Sequence, residues 1–282
     1  MKHFFEPHPG QLLYHYANTE GAEAIIANET LRLSEFSMMN DSSEYTYAKK
    51  RFLETYHNRE VWIEEVPRYL MSMRLASHEA ATVMMIGCLT EERDDVGLWD
   101  RYGSNGAGCV VGIDASWLAN RAGATLRRIS YEPGDMRDFV NAGLLMLQGQ
   151  YEEAPKDTGQ LSELAAFFIL DLYAFKDPRF RSEREVRISR LADADASTMH
   201  GLAPVVGHND NGEELPPLPV QLFNSRFGPK RFIDLPLRYS EPRSAIRSVG
   251  LGPTATAETR KKIVAACGCS NIDIWQSDVP LR

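Results

Sequence analysis

Ala81-Thr82-Val83-Met84-Met85-Ile86-Gly87-Cys88-Leu89-Thr90 is the strongest strand signal in the 282-residue chain and lies in its longest apolar run. The run is strand-sized and far short of the roughly 20 apolar residues that a membrane helix needs. A charged loop, Glu91–Asp95, ends it, so the stretch reads as a buried central strand. Towards the N-terminus, Leu12–Tyr16 reads as a first strand and Leu31-Arg32-Leu33 as a short one. Between them Asn18 or Thr19 can cap a helix running to about Asn28, with Glu20 and Glu23 favourable to its dipole. Asp41 or Ser42 can cap a second helix reaching Tyr56, and Val66–Ser77 predicts a third. Towards the C-terminus, Val96–Tyr102 reads as a loop with an aromatic knob, Gly103–Gly108 as a turn, and Cys109–Ile113 and Thr125–Tyr131 as strands. Apolar residues at helical spacing predict helices over Met136–Gln150 and Gln160–Phe175, and a break follows at Lys176–Phe180. Glu183–Ile188 reads as a strand, Pro204–Pro219 as an exposed loop, and Thr256–Ala266 as a helix. Arg231–Leu237, Ala245–Leu251 and Ile272–Trp275 read as late strands. With no repeat and no linker, the expectation is α+β: a single domain over 1–282 with a mixed, largely antiparallel central sheet, flanking helices and a flexible loop around 204–219.

The chain is 43% hydrophobic and 25% charged, ordinary for a globular protein. Its net charge of −8 lacks the basic excess of polyanion binders, so generic nucleic-acid binding is not expected. Met1–Gly10 carries His3, Glu6, His8 and two prolines, which is no signal peptide, and the cytoplasm is the expected compartment. Cys88 and Cys109 lie in apolar runs and read as small core residues. Cys267-Gly268-Cys269 lacks a second pair at zinc-site spacing, so no metal site is expected.

Four segments carry candidate chemistry. His15, between Tyr14 and Tyr16 at a strand end, can hold a ligand by ring hydrogen bonds, or be a half-buried histidine satisfied by the backbone. Asn40-Asp41-x-x-Glu44 can wall a binding cleft, although a helix cap explains it as well. Thr90 ends the central strand, and Trp99 and Tyr102 can sandwich a flat ring unless Trp99 packs in the core. In Arg181-Ser182-Glu183-Arg184-Glu185-Val186-Arg187, strand alternation puts Glu183 and Glu185 on one face, flanked by Arg181 and Arg187. An exposed ion-pair ladder is the competing account of that row.

Together these motifs resemble a bacterial family known only as a domain of unknown function. Its members share a start like Leu13-Tyr14-His15-Tyr16, a Met39-Asn40-Asp41-x-x-Glu44 segment, and a Cys88-x-Thr90…Leu98-Trp99-x-x-Tyr102-Gly103…Gly108 centre. They share Phe175-Lys176-x-Pro178-x-Phe180-Arg181-x-Glu183-Arg184-Glu185-x-Arg187 and a later Gly250-x-Gly252-Pro253. The likeness covers most of the chain in order; Ala17 stands where members usually carry Thr or Ser, and Val186 where Trp is common. A more distant resemblance is to ADP-ribosyltransferases: an early His or Arg, a middle strand ended by Ser or Thr, and a late catalytic Glu, often as Glu-x-Glu, here His15, Thr90 and Glu183-Arg184-Glu185. That resemblance implies NAD as substrate, a small-molecule nucleotide partner and an unnamed acceptor. Under it His15, Tyr16 and Arg181 hold NAD, Thr90 supports the nicotinamide pocket, and Trp99 or Tyr102 stacks on the ring. Glu185 is the catalytic carboxylate and Glu183 orients the acceptor. Two other readings stand beside it: a non-catalytic nucleotide-binding or sensor domain on the same scaffold, and a metal-dependent hydrolase using Asp41, Glu44, Glu183 and Glu185.

Overall fold

The structure, a computed structural model, describes residues 3–36, 43–59, 61–225, 228–240, 242–268 and 270–281. Its elements run β1 (Leu12–Ala17), α1 (Thr19–Asn28), β2 (Thr30–Glu35), α2 (Ser43–His57), α3 (Glu65–Ala81), β3 (Thr82–Thr90), α4 (Val96–Arg101), β4 (Cys109–Asp114), α5 (Ala115–Asn120) and β5 (Thr125–Arg128). They continue through α6 (Pro133–Glu153), α7 (Thr158–Leu170), 3-10 turns over Asp171–Ala174 and Pro178–Glu183, β6 (Glu185–Asp193), β7 (Val205–His208), β8 (Glu214–Leu218), β9 (Gln221–Ser225), β10 (Gly228–Pro236), β11 (Ile246–Leu251), α8 (Ala257–Cys267) and β12 (Asp273–Gln276).

The Ala81–Thr90 run is the hub of a ten-stranded sheet. Along one edge β3 pairs with β6 from Thr82 to Thr90, and β5 continues beyond β6. Along its other edge β3 meets two strands in succession: β2 at Met85 and Ile86, then β1 at Thr90. The main path is β12-β11-β4-β1-β3-β2-β10-β9, antiparallel except for β11 with β12. The α+β expectation, with a mixed and largely antiparallel sheet, therefore holds. Between Ile86 and Thr90 the edge of β3 has neither neighbour, so the sheet splits there.

Alternation along the strands separates the two faces. Leu13, Leu33, Val111, Val186, Ile188, Ile233 and Val249 join Ile25 and Ile26 of α1, Leu118 of α5 and Ile263 of α8 in the larger core. Helices α2, α6 and α7 form a second core through Phe52, Phe139, Leu144, Leu147 and Phe168. Phe36, Met84 and Ile86, packed by Leu170 and Tyr173, connect the sheet to that helical layer. Side-chain caps fix several helix starts: Asn18 for α1, Asp95 for α4, Asp114 for α5, Asp157 for α7 and Thr256 for α8. The cap expected from Asp41 or Ser42 lies outside the described residues. No helix among the described residues is long and apolar enough to cross a membrane.

Four sequence expectations are corrected. Val96–Tyr102 is mostly helix, because Asp95 accepts from Leu98 N and starts α4. The helix expected to reach Phe175 ends at Leu170 and tightens into a 3-10 turn. The 204–219 segment, read as an exposed loop, contains a hairpin, β7 with β8, which buries Val205, Leu215 and Leu218 while Pro216 and Pro217 stay exposed. Proline is tolerated there because a two-stranded ribbon consists only of edge strands. Finally, Glu183 is not in a strand: it closes a 3-10 turn, and Arg184 follows in the left-handed region at φ 42° before β6 begins.

Candidate functional site

One rung of the sheet brings the sequence signals together. Tyr14 of β1 is paired with Thr90 of β3, and Thr90 with Glu185 of β6. Cys88 and Arg187, two residues away on the same strands, are also paired. Thr90, Cys88, Glu185 and Arg187 therefore share the face opposite Val186 and Ile188.

At the centre of that face lies a buried ion cluster. Lys176 Nζ donates to Glu183 Oε2 at 2.7 Å and to Glu185 Oε2 at 3.0 Å. Arg187 clamps Glu185 through Nε at 2.6 Å and Nη2 at 3.2 Å, and its Nη1 donates to the Tyr173 carbonyl. Glu183 also accepts from the Tyr102 hydroxyl at 2.9 Å and from Arg101 Nη1 at 3.1 Å. Lys176, Glu183, Glu185 and Arg187 are each buried, whereas Tyr102 is 48% exposed and forms the accessible rim. Three cations face two carboxylates, leaving one positive charge in excess.

The electrostatics follow from this packing. Burial alone would raise the Glu185 carboxyl. The charges of Arg187 and Lys176, with their hydrogen bonds, outweigh burial and hold it at about 2. Burial, then the charge and hydrogen bond of Glu183, push the Tyr102 phenol up, so it remains a neutral donor. Burial and the charge of Glu185 likewise raise the Cys88 thiol, which stays protonated.

His15 occupies the split in the sheet. Its Nδ1 lies 2.9 Å from the Cys88 carbonyl, one of the groups that the missing neighbour strand would have satisfied. A carbonyl only accepts, so Nδ1 carries the proton and Nε2 is the acceptor. Burial lowers the ring's proton affinity despite that hydrogen bond, which keeps it neutral near pH 7. Its Nε2 has no hydrogen bond among the described residues.

The remaining candidates have structural duties. Thr90 is buried, and its hydroxyl donates to the Glu183 carbonyl at 2.6 Å while accepting from Glu92 N at 3.1 Å, which anchors the turn that presents Glu183. Tyr16 is buried; its hydroxyl donates to the Glu92 carbonyl and accepts from Asp95 N. Trp99 has no exposed surface, stacks edge-on against Tyr16 at 4.8 Å and donates to Asp94 at 2.6 Å. Its ring packs in the core and has no face open to a ligand, so the sandwich expected of it is corrected; Tyr102 alone of the two keeps an exposed ring. Arg181 leaves the cluster: both it and Glu132, which it meets at 2.8 Å, are exposed. The straight-strand row from Arg181 to Arg187 is broken by the turn at Arg184.

Lys176 and Arg101 were not foreseen. A signal for Lys176 existed, since two carboxylates in a stretch otherwise destined for burial require a cation nearby. Asn40 and Asp41 lie outside the described residues, as does the side chain of Glu44, and so does Cys269. Among the described residues no group of three or more His, Cys, Asp or Glu side chains is arranged to hold a metal ion. No protein-family model, no curated protein and no solved structure matches the chain.

Proposed function

We propose that this protein is an NAD-consuming transferase of the ADP-ribosyl type, with the Glu183–Glu185 cluster as its reactive centre. The observation that carries the reading is the shared rung, which sets Glu185 beside Thr90 and Tyr14, one residue from His15. Glu185, Thr90 and Tyr14, far apart in sequence, thus meet on one rung, and His15 reaches the Cys88 carbonyl beside it. In this reading the neutral His15 accepts a ribose hydroxyl at Nε2, and the exposed ring of Tyr102 stacks on nicotinamide. Loss of nicotinamide leaves an oxocarbenium-like ribose, and fixed carboxylates beside it stabilise the charge that develops. The excess positive charge contributed by Lys176, Arg187 and Arg101 complements the pyrophosphate. The acceptor is left open by this assignment.

A second reading, a nucleotide-binding domain without turnover, is favoured by one specific observation. Both oxygens of Glu185 are already engaged, Oε1 by Arg187 and Oε2 by Arg187 and Lys176. Nicotinamide release from NAD by the purified protein, compared with Glu185→Gln and with a circular-dichroism check of folding, separates the two. Release that is lost in the folded variant supports the transferase. Binding without release, with or without added cell extract, supports the second reading. Neither binding by calorimetry nor release would refute both.

A further inference from the structure

A cationic concavity lies apart from the ion cluster. A cavity of about 450 Å³ opens between α2 and α6 and is lined by Arg51, Arg59 and Arg137, with Asn58, Asn141 and a single carboxylate, Glu54. That is a concentration of positive charge in a chain whose net charge is −8. Among the described residues the arginines are not neutralised across the gap. Arg51 pairs with Glu54 on its own helix at 2.8 Å, and among the described residues Arg137 forms an ion pair only with its neighbour Asp138, at 3.9 Å. Arg59 donates to the Tyr56 carbonyl, with its guanidinium 4.8 Å from the Tyr56 ring centroid. These local contacts leave all three guanidinium-bearing side chains lining the same cavity, from α2, the segment after it and α6. Like charges facing one another across a cavity repel, and a bound dianion would reverse that cost.

Two amides add polarity of the other kind. Asn58 uses its Nδ2 on the Glu54 carbonyl, so its Oδ1 remains an acceptor. The Oδ1 of Asn141 is buried and has no hydrogen-bond partner among the described residues. A buried acceptor without a donor costs free energy until a donor arrives. A ligand suited to the whole cavity therefore combines an anion for three arginines with N–H or O–H donors for two amide oxygens. The volume is within the range of small-molecule sites. Guanidinium groups recognise phosphate bidentately, and the hydroxyls of a ribose supply the donors.

We infer that the α2–α6 cavity binds a nucleoside phosphate. Its position gives the site a use under the transferase reading. Pro133 lines the cavity, and two residues earlier the Tyr131 hydroxyl accepts from Glu185 N at 3.1 Å. Glu132, between them, meets Arg181, two residues before Glu183. The cavity and the carboxylates thus share one short connection, and the cavity is placed to hold an acceptor nucleotide. That use rests on the transferase reading; the binding itself does not.

The test is calorimetric titration of the full-length protein with ADP, AMP, adenosine and inorganic phosphate, at low and at moderate salt. The wild type is compared with an Arg51→Gln/Arg137→Gln double variant and with Glu185→Gln. The expected result is ADP and AMP binding that weakens with salt, falls at least tenfold in the arginine variant and persists in Glu185→Gln. Adenosine and phosphate alone should each bind at least tenfold more weakly than AMP. No nucleotide binding at millimolar concentration, or binding unchanged in the arginine variant, would overturn the assignment. Phosphate binding as tightly as AMP would overturn the nucleoside part of it. Loss of nucleotide binding in Glu185→Gln alone would move the site to the ion cluster and also overturn the inference. Failure of NAD turnover with retained AMP binding would count only against the transferase.

Discussion

Lys176 reaches two carboxylates from a side chain only 5% exposed, and Glu183 and Glu185 are equally enclosed. Removing that ammonium leaves buried negative charges with one cation fewer, a change that characteristically costs about 3–5 kcal/mol. Lys176→Met is expected to lower stability by about 3 kcal/mol in urea unfolding at pH 7. Combining it with Glu183→Gln should return part of the loss, because the buried Glu183 oxygen left without its Lys176 donor is then no longer ionised. A Met variant as stable as wild type would mean that Lys176 is not the bridge. Tyr102 is the opposite case. It donates one hydrogen bond from the rim, so Tyr102→Phe should cost about 1 kcal/mol. The carboxylate pair could be read from the sequence, since Glu183 and Glu185 do converge, but not for the reason that strand alternation offers. The left-handed residue Arg184 folds the chain back so that both side chains meet Lys176. A positive φ at an arginine has no sequence signature, and the spacing around Lys176, in a segment that reads as a break, gives it no role although it belongs to the shared motif. Trp99 could not be assigned from sequence because a buried aromatic and a stacking aromatic have the same composition signal.

At the level of elements, periodicity reported well on long or strongly alternating segments such as β1, β3, β4 and α1. It failed where length or composition was atypical. Six residues of α4 are too few to show a helical period, and they are helical because Asp95 caps them. The β7–β8 hairpin was masked by its prolines and glycines, yet it is docked. Gly207 sits against Gly123 and Arg190, and a Cβ there would lie 2.5 Å from the Gly123 carbonyl oxygen and 2.7 Å from Arg190 Cζ. Arg190 is itself buried, and its Nη2 donates to the Ala122 carbonyl and the Tyr239 hydroxyl. Neither obstacle is the free end of a flexible chain, so the hairpin must shift to admit a methyl group. Gly207→Ala is expected to destabilise by about 1–3 kcal/mol, the usual penalty of overpacking. Thermal unfolding checks this, and a Tm unchanged within a degree would mean that the hairpin does not rest on Arg190.

The sheet draws on the entire chain: β1 lies between β3 and β4, and β2 between β3 and the late strand β10. Loss of the central rung should therefore be felt by the molecule as a whole, and acid tests this. The folded Glu185 carboxyl is held at about 2, well below the ordinary carboxylate value near 4.5, through Arg187 and Lys176 acting against burial. A depressed carboxylate contributes stability that is fully present above its unfolded value and is lost as pH falls through its folded value. The contribution should be constant from neutral pH to about 5 and decline between about 4.5 and 2. At about 1.4 kcal/mol for each tenfold change in proton affinity, it is on the order of 3 kcal/mol. Glu185→Gln cannot take up that proton. The variant is expected to be less stable than wild type at pH 7, with the gap narrowing as pH is lowered from 4.5 towards 2.5. Urea midpoints at pH 7, 5, 4, 3 and 2.5 for both proteins measure it. A gap that stays constant down to pH 2.5 would show that Glu185 does not exist as an ion held by Arg187 and Lys176. The proposed centre would then lose the fixed negative charge on which its chemistry depends.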